Sequence, residues 1–281
     1  GQTYLVAREY GGYDVTLGWT GNPKDVLESQ DVTLLAPAEP ESLGRDFYLP
    51  SQSPVTLEEH TSDVETELKG ILAALGIDEA LRDALITAAR WHDAGKAHPV
   101  FQAAVHGTPV ADYDKETAQT LLAKSGRGQI RYERPYFRHE WASALAWLKN
   151  QSDTATGQTA SLVAYLVAAH HGKVRLTVRS LPEEPVPSTA SAQVDGEPLF
   201  ARGVWHGDVL PGFTVNGTDF PETVVDMRCL HLGLSADGQP SWTERVLALR
   251  DDPEMGPLLL AALETLLRAA DARASKKEAQ S

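Results

Sequence analysis

The sequence contains almost no cysteine, because Cys229 is the single cysteine among 281 residues. One cysteine cannot form an internal disulfide bond, and it cannot supply a cysteine-rich zinc site. Any metal ion bound by this protein must therefore be held by nitrogen and oxygen atoms. Catalysis by a cysteine nucleophile is also disfavoured.

Long hydrophobic runs are absent as well. No stretch approaches the roughly 18 to 20 apolar residues of a membrane span. The N-terminal sequence GQTYLVAREYGG lacks the basic-then-apolar layout of a signal peptide. With 42% hydrophobic residues the chain can still bury a normal core. We expect a globular, cytoplasmic protein without a membrane partner.

Positive charge is scarce, and the formal net charge of −14 repels nucleic acid at long range. The basic residues are nevertheless clustered. One run, from Lys124 to His139, contains Glu133 as its single acidic residue, and a second run extends from Lys173 to Arg179. Either run alone is more typical of a solvated surface than of a binding site.

The hydrophobic pattern predicts a mainly α-helical domain over 54–275, preceded by a β-strand and loop extension over 1–53. Asp78 is the expected N-cap of a helix that runs into His92. Further helices are predicted at 99–105, 115–124, 135–149, 158–171, 242–249 and in a long segment that begins at 252–254. Residues 173–235 are β-rich, with Asn-Gly turn signals, and are predicted to form a small inserted sheet. The tail, 276–281, is predicted to be disordered.

Ionisable side chains lie at helix ends and on inward-facing helical stripes. The set is His60, His92, Asp93, His139, His170, His171 and Asp271. Buried groups of this kind are costly unless they are paired or bound to metal. Adjacent ligands at a helix end point roughly 100° apart, so each neighbouring pair can face one cluster where the helix ends at a glycine. A carboxylate such as Asp93 can also bridge two ions through its two oxygens.

Each of these residues alone has an ordinary interpretation. A lone histidine on an apolar helix is usually a hydrogen-bonded core or surface residue. Four histidines are assigned in that way: His98, His106, His206 and His231. Asp271 alone could pair with Arg268 or Arg273. It is the ordered combination that indicates a metal site.

The combination comprises HDAGKAHPVFQ at 92–102, RHEWASA at 138–144, AAHHG at 168–172 and AADARAS at 269–275. Across about 55–275, these motifs resemble the HD superfamily of metal-dependent phosphohydrolases. More specifically, they resemble the HD nuclease domain of the CRISPR-associated type I interference nuclease-helicase. The resemblance implies an HD-domain helical bundle with two divalent transition-metal ions, Mn²⁺, Fe²⁺, Co²⁺ or Ni²⁺. It implies that His60, His92, Asp93 and Asp271 hold one ion and that Asp93, His139, His170 and His171 hold the second.

The resemblance also implies the substrate and the partners. The substrate would be single-stranded DNA, cut endonucleolytically in antiviral defence after a helicase unwinds it at an RNA-guided surveillance complex. The chain has no GxxxxGK[ST] phosphate loop and hence no helicase motor of its own. The segment REYGGYDVTLGWTG resembles the connection from a helicase to a C-terminal HD domain. We therefore expect this chain to be the C-terminal portion of a longer protein that includes the helicase.

Two metal ions about 3.5 to 4 Å apart suit phosphodiester hydrolysis. Asp93 and Lys96 are the predicted catalytic residues, with Lys96 contacting either a phosphate oxygen or a nearby carboxylate. The predicted DNA-binding residues are Arg127, Arg131, Arg134, Arg138 and Lys173. Bases are expected to stack on the interleaved rings of Tyr132, Tyr136 and Phe137.

Two other functions stay open at this point. An HD phosphohydrolase could act on a deoxynucleoside triphosphate, an alarmone or a cyclic dinucleotide, although the basic and aromatic run RGQIRYERPYFRH suits an open polymer groove better than a closed pocket. An interaction module without catalysis would fold fully without metal and would cut DNA with no ion.

Overall fold

The computed structural model describes residues 8–14, 18–26, 53–113, 120–126, 130–151, 157–234 and 238–280. The chain divides into two compact units, Gly1–Ser42 and Leu43–Ser281. In the described part of the first unit, β1 (Tyr13–Asp14) pairs antiparallel with β2 (Gly18–Trp19). All the helices and strands named below belong to the second unit.

The second unit is mainly helical, as the sequence predicts. Its described residues form α1 (Leu57–Ala73), α2 (Glu79–Trp91), α3 (Pro99–His106), α4 (His139–Lys149), α5 (Gln158–Ala169), α6 (Trp242–Asp251) and α7 (Gly256–Glu278). None of these helices has the length and apolar character that a membrane crossing requires.

Side-chain caps determine where the first two helices begin. Thr56 and Glu59 form a capping box at α1, in which Thr56 Oγ1 accepts from Glu59 N at 3.1 Å and the Glu59 carboxylate accepts from Thr56 N at 3.0 Å. At α2, the side chain of Asp78 accepts from Ala80 N at 2.9 Å. The predicted N-cap at Asp78 is thus confirmed.

Helix α5 lies in the middle of the bundle. Every residue from Ala160 to Ala169 is buried, and the helix contacts α2, α4, α6 and α7. Helix α1 packs against α2 and α7. A helix that is apolar on all sides is stable only when neighbours surround it, and α5 is covered by four other helices.

The segment predicted as a helix at 115–124 ends in a strand instead. Strand β4 (Leu122–Lys124) pairs antiparallel with β3 (Val55–Thr56), while 114–119 lie outside the described residues. The Gln102 side chain donates to Leu122 O at 2.9 Å and accepts from Leu122 N at 3.1 Å. These tertiary hydrogen bonds satisfy the extended backbone and outweigh a weak helical periodicity.

Helix α4 begins at His139, four residues later than predicted. Tyr136 has a φ of 64°, a left-handed conformation that a regular helix excludes. Arg138 N donates to Arg202 O at 2.9 Å, which ties the segment to the insertion. As a result, the helix begins at His139, which is a candidate metal ligand.

The β-rich insertion forms four separate strand pairs in its described residues instead of the predicted single sheet. The pairs are β5 (Gln193–Val194) with β6 (Glu197–Pro198), β7 (Phe200–Ala201) with β8 (Val204–Trp205), β9 (Val209–Leu210) with β12 (Thr223–Val224), and β10 (Phe213–Val215) with β11 (Thr218–Phe220). The strands are too short to extend a common ladder. The predicted Asn-Gly turn is present, with φ of 49° at Asn216 and 73° at Gly217.

Helix α7 continues to Glu278 and so includes part of the segment predicted to be disordered. Glu278 is buried, and it contacts His60 and Lys124 at distances of 2.7 and 2.6 Å. These contacts hold the last turn of the helix against α1 and β4. The polar composition of the tail does not indicate these contacts.

Candidate metal centre

Asp93 lies at the centre of the histidine and carboxylate cluster, with its two oxygens facing different partners. Oδ2 lies 3.2 Å from His60 Nε2 and 3.3 Å from His92 Nε2. Oδ1 lies 3.1 Å from His139 Nε2 and 3.9 Å from His170 Nε2. The side chain is almost fully buried, so both oxygens are directed at protein groups within the cluster.

A tight turn after α2 brings Asp93 to this position. The helix ends at Trp91, and a 3₁₀ turn follows over Ala94–Ala97. Gly95 N donates to Ser143 Oγ of α4 at 2.6 Å, and a Cβ atom at Gly95 would lie 2.0 Å from His139 O. Only glycine lets the turn approach α4 so closely, and this approach places Asp93 beside His139.

The end of α5 supplies the next two side chains. His170 and His171 follow the last helical residue, Ala169, and Gly172 ends the helix with a φ of 72°. His171 Nε2 lies 3.2 Å from His139 Nε2. The predicted unwinding at this glycine thus directs both imidazoles toward the cluster.

Helices α1 and α7 complete the cluster from the opposite side. His60 projects from the buried face of α1, and its Nε2 lies 3.3 Å from Asp271 Oδ1 of α7. These two residues are 211 positions apart in the chain. Packing of α1 on α7 brings them together.

The donor atoms fall into two groups, in each of which all the atoms lie within 4.8 Å of one another. One group is Asp93, His139, His170 and His171, and the other is His60, His92 and Asp271. Imidazole nitrogen with carboxylate oxygen is a donor set that suits first-row transition metals. The residues therefore fit a divalent metal centre. The group of four is one of the sets that the resemblance implies, and the group of three is the other implied set without Asp93.

Hydrogen bonds at Nδ1 fix how the imidazoles face the cluster. His92 Nδ1 donates to Ala89 O at 2.6 Å, and His170 Nδ1 donates to Val167 O at 2.7 Å. In a neutral imidazole held in this way, the lone pair of Nε2 faces inward, as in metal-binding histidines. Both Nε2 atoms are buried and make no hydrogen bond within the described part of the chain. Such buried atoms call for a partner, which a cation would supply.

The pKa values agree with a site that attracts cations. Burial raises the pKa of Asp93, yet the adjacent charges of His92 and Lys96 hold it well below its usual range. Burial and the charge of His171 hold the pKa of His170 well below its usual range. The carboxylate is thus ionised and this imidazole neutral near pH 7, which are the forms that bind metal.

His60 differs from His170. Burial lowers its pKa, but hydrogen bonds to three carboxylates, of which Asp271 has the largest effect, raise it to about 10. His60 therefore carries a proton in the metal-free protein. A cation bound at its Nε2 must displace that proton, so affinity at this group should rise with pH.

Lys96, a predicted catalytic residue, supports Asp93. Its Nζ lies 2.7 Å from Asp93 Oδ2, and only 2% of its side chain is exposed. This is the salt bridge considered as the alternative to a phosphate contact. Lys96 stabilises the ionised carboxylate from within the core.

The predicted DNA-binding residues have different surroundings. Arg131 and Lys173 are exposed, whereas Arg127 lies outside the described residues. Arg134 Nη1 contacts Asp208 at 2.5 Å, and its guanidinium lies 3.7 Å from the Trp205 ring.

Arg138 is 5% exposed. Arg134 and Arg138 are thus engaged within the protein, which is at odds with the prediction that they bind DNA. The prediction that bases stack on Tyr132, Tyr136 and Phe137 is wrong, because all three rings are buried. Arg134, Tyr136 and Arg138 contact residues of the distant insertion, and the local sequence does not show these contacts.

The other histidines lie outside both donor groups. His98 contacts Asp208 at 3.3 Å, and His206 Nδ1 accepts from Met227 N at 3.2 Å. His106 stacks on Tyr113, and His231 is exposed. Each of them has an ordinary structural environment.

A family profile described as Cas3, HD domain, matches residues 55–244. The chain belongs to this family. The Cas3 HD domain implies a CRISPR-associated, metal-dependent nuclease, and the histidine and aspartate cluster fits that activity. Comparison with curated proteins and with solved structures gives no match. Asp271 lies beyond the matched range of this HD domain, and the structure places it beside His60.

Three polar residues beside the candidate ligands were not identified from the sequence. Ser275 and Glu278 follow Asp271 by four and seven positions, which places Asp271, Ser275 and Glu278 on one face of α7. This spacing was the signal that could have identified them. Glu140 is fully buried, with an oxygen 3.7 Å from His139 Nδ1, and it belongs to the RHEWASA motif.

Proposed function

We propose that this chain hydrolyses phosphodiester bonds of single-stranded DNA in CRISPR type I interference, with two divalent transition-metal ions. The observation that carries the proposal is the position of Asp93, with one oxygen toward each donor group. A shared carboxylate between two sets of imidazoles is an arrangement that suits a two-ion centre.

His60, His92, Asp93 and Asp271 would hold one ion, and Asp93, His139, His170 and His171 the other. Ions bound there would supply Lewis-acid chemistry, activating water and neutralising charge on the phosphoryl oxygens. Lys96 keeps Asp93 ionised, and backbone carbonyls at the ends of α2 and α5 orient His92 and His170. The protein thus holds these side chains in defined orientations before an ion binds.

The substrate would approach from the side of His171 and Asp271, the two ligands with partial exposure. Cationic groups flank that side. A Cβ atom at Gly172 would lie 3.2 Å from Arg175 Nη2 and 3.4 Å from Arg268 Nη1. Both arginines also pair with Glu264, and Lys173 is exposed next to them. Local positive charge can hold a phosphate backbone although the net charge of the chain is negative.

DNA would be held by Lys173 beside the cluster and by Arg127 and Arg131 in the neighbouring run. The protein would act in the cytoplasm, where a helicase domain of the same full-length protein and an RNA-guided surveillance complex deliver the unwound strand. The basic side chains at these positions support the proposal, because a cation can bind the phosphate backbone without requiring a particular base.

A cleavage assay with a circular single strand tests this function. We expect the chain loaded with Mn²⁺, Fe²⁺, Co²⁺ or Ni²⁺ to linearise and degrade the circle, to cut duplex DNA more slowly, and to lose activity with a chelator. An alanine variant at Arg131 and Lys173 should need more DNA for the same rate. Its salt dependence should also be weaker, by roughly 0.7 in slope for each phosphate that the variant no longer binds.

The nucleotide hydrolase predicts a different result in the same assay. It would leave the DNA circle intact and hydrolyse a deoxynucleoside triphosphate, an alarmone or a cyclic dinucleotide. Hydrolysis of one of these compounds without DNA cleavage would reject the proposed substrate. Full folding without cleavage of any substrate would favour an interaction module.

A further inference from the structure

We propose that Lys124, Ser275 and Glu278 form an outer layer that positions His60 and Asp271 and thereby controls the affinity of one ion site selectively. The proposal rests on the two-ion function above and assigns a role to three residues outside the donor groups. They are positioning residues, because they act through the ligands.

The first arm of this outer layer reaches His60. Glu278 Oε1 lies 2.7 Å from His60 Nδ1 and accepts a hydrogen bond from it. Glu278 Oε2 lies 2.6 Å from Lys124 Nζ. Both Glu278 and Lys124 are buried, so the pair is shielded from solvent and fixed in direction. A carboxylate behind a ligating imidazole orients the ring and strengthens it as a ligand.

The second arm reaches Asp271. Lys124 Nζ donates to Ser275 Oγ at 2.8 Å, and Ser275 Oγ donates to Asp271 Oδ1 at 3.4 Å. The amine of Lys124 is therefore the common point of two chains, each of which ends on a different ligand. Movement of Lys124 or Glu278 would disturb both ligands together.

Selectivity follows from how the ligands divide between the sites. His60 and Asp271 belong to the same donor group, and neither belongs to the group of His139, His170 and His171. In that second group, His170 is oriented separately, by Val167 O at the end of α5. The outer layer should thus act on the first site and leave the second site intact.

The layer also links the last turn of α7 to the metal centre. Asp271, Ser275 and Glu278 lie on one face of α7 and point toward α1 and β4, where His60 and Lys124 reside. The polar residues at the end of α7 therefore position two candidate ligands, in addition to the packing of the helix.

Titration of the metal-free chain with Mn²⁺, followed by calorimetry, tests the role of Glu278. In Glu278→Gln one ion should bind about 10- to 100-fold more weakly while the other keeps its affinity. Glu67→Gln is the matched control, because Glu67 also pairs with a lysine of α7, Lys277, but lies outside the layer. We expect wild-type affinities for both ions in Glu67→Gln.

The double variant Glu278→Gln with Lys124→Met guards against misfolding, because it removes both members of the buried ion pair at once. It should show the same selective loss. Wild-type affinities for both ions in these variants, or an equal weakening of both, would overturn the proposal. Failure of the wild-type chain to bind two ions would reject the proposed function itself, which the variants cannot do.

Discussion

Replacement of Asp93 with asparagine should abolish DNA cleavage. The side chain keeps its size, but one of its two oxygens becomes an NH₂ group that cannot accept a metal ion. Since Oδ1 and Oδ2 face different donor groups, the change would remove a proposed ligand from one site and weaken the proposed bridge between the two sites. We expect the cleavage rate to fall by roughly 10³-fold or more, equivalent to about 4 kcal/mol of barrier.

The folding of this variant needs a control, because Lys96 would lose its buried partner. A double variant, Asp93→Asn with Lys96→Met, removes the uncompensated charge and should fold, as circular dichroism can verify. Asp208→Asn is the matched comparison, since Asp208 also contacts a buried histidine, His98, but lies outside the cluster. Wild-type cleavage by a folded Asp93 variant would contradict the bridging assignment.

Gly95→Ala should strongly destabilise the protein. The new Cβ would lie 2.0 Å from His139 O and 2.8 Å from Ser143 N, which are atoms of the α4 backbone. The turn must therefore move away from α4 and give up the hydrogen bond to Ser143. We expect a decrease of about 3 kcal/mol or more in the free energy of unfolding, measured by urea denaturation.

Gly70→Ala provides the comparison for this change. A Cβ at Gly70 meets nothing within 4 Å, and the residue lies inside α1, so alanine should stabilise the protein by roughly 0.5 to 1 kcal/mol. Metal content should also fall in Gly95→Ala, because Asp93 moves with the turn. An unchanged midpoint in Gly95→Ala would show that the turn is not held against α4 in this way.

The sequence predicted the part of the site in which ligands are neighbours along the chain. His92 with Asp93 and His170 with His171 stand at helix ends next to glycines, and their local pattern indicates where they point. His60 and Asp271 are different, because each is a single residue on a long helix. Only the resemblance to a known family indicated that they join the cluster, and packing of α1 on α7 brings them together.

The basic run after Lys124 shows why other parts could not be predicted. Its charge and its aromatic rings suggest a DNA groove, but Arg134 pairs with Asp208 and Trp205 of the insertion, about 70 residues later. A sequence pattern does not show partners that far away. Glu278 is the converse case, because a polar tail that looks disordered is held by contacts to α1 and β4.

Anomalous diffraction from crystals soaked in Mn²⁺ tests the central claim most directly, because it locates each ion without reference to activity. The account predicts two peaks on opposite sides of Asp93, one among His60, His92 and Asp271 and the other among His139, His170 and His171. A single peak, or peaks that do not contact Asp93, would contradict a two-ion centre bridged by this carboxylate.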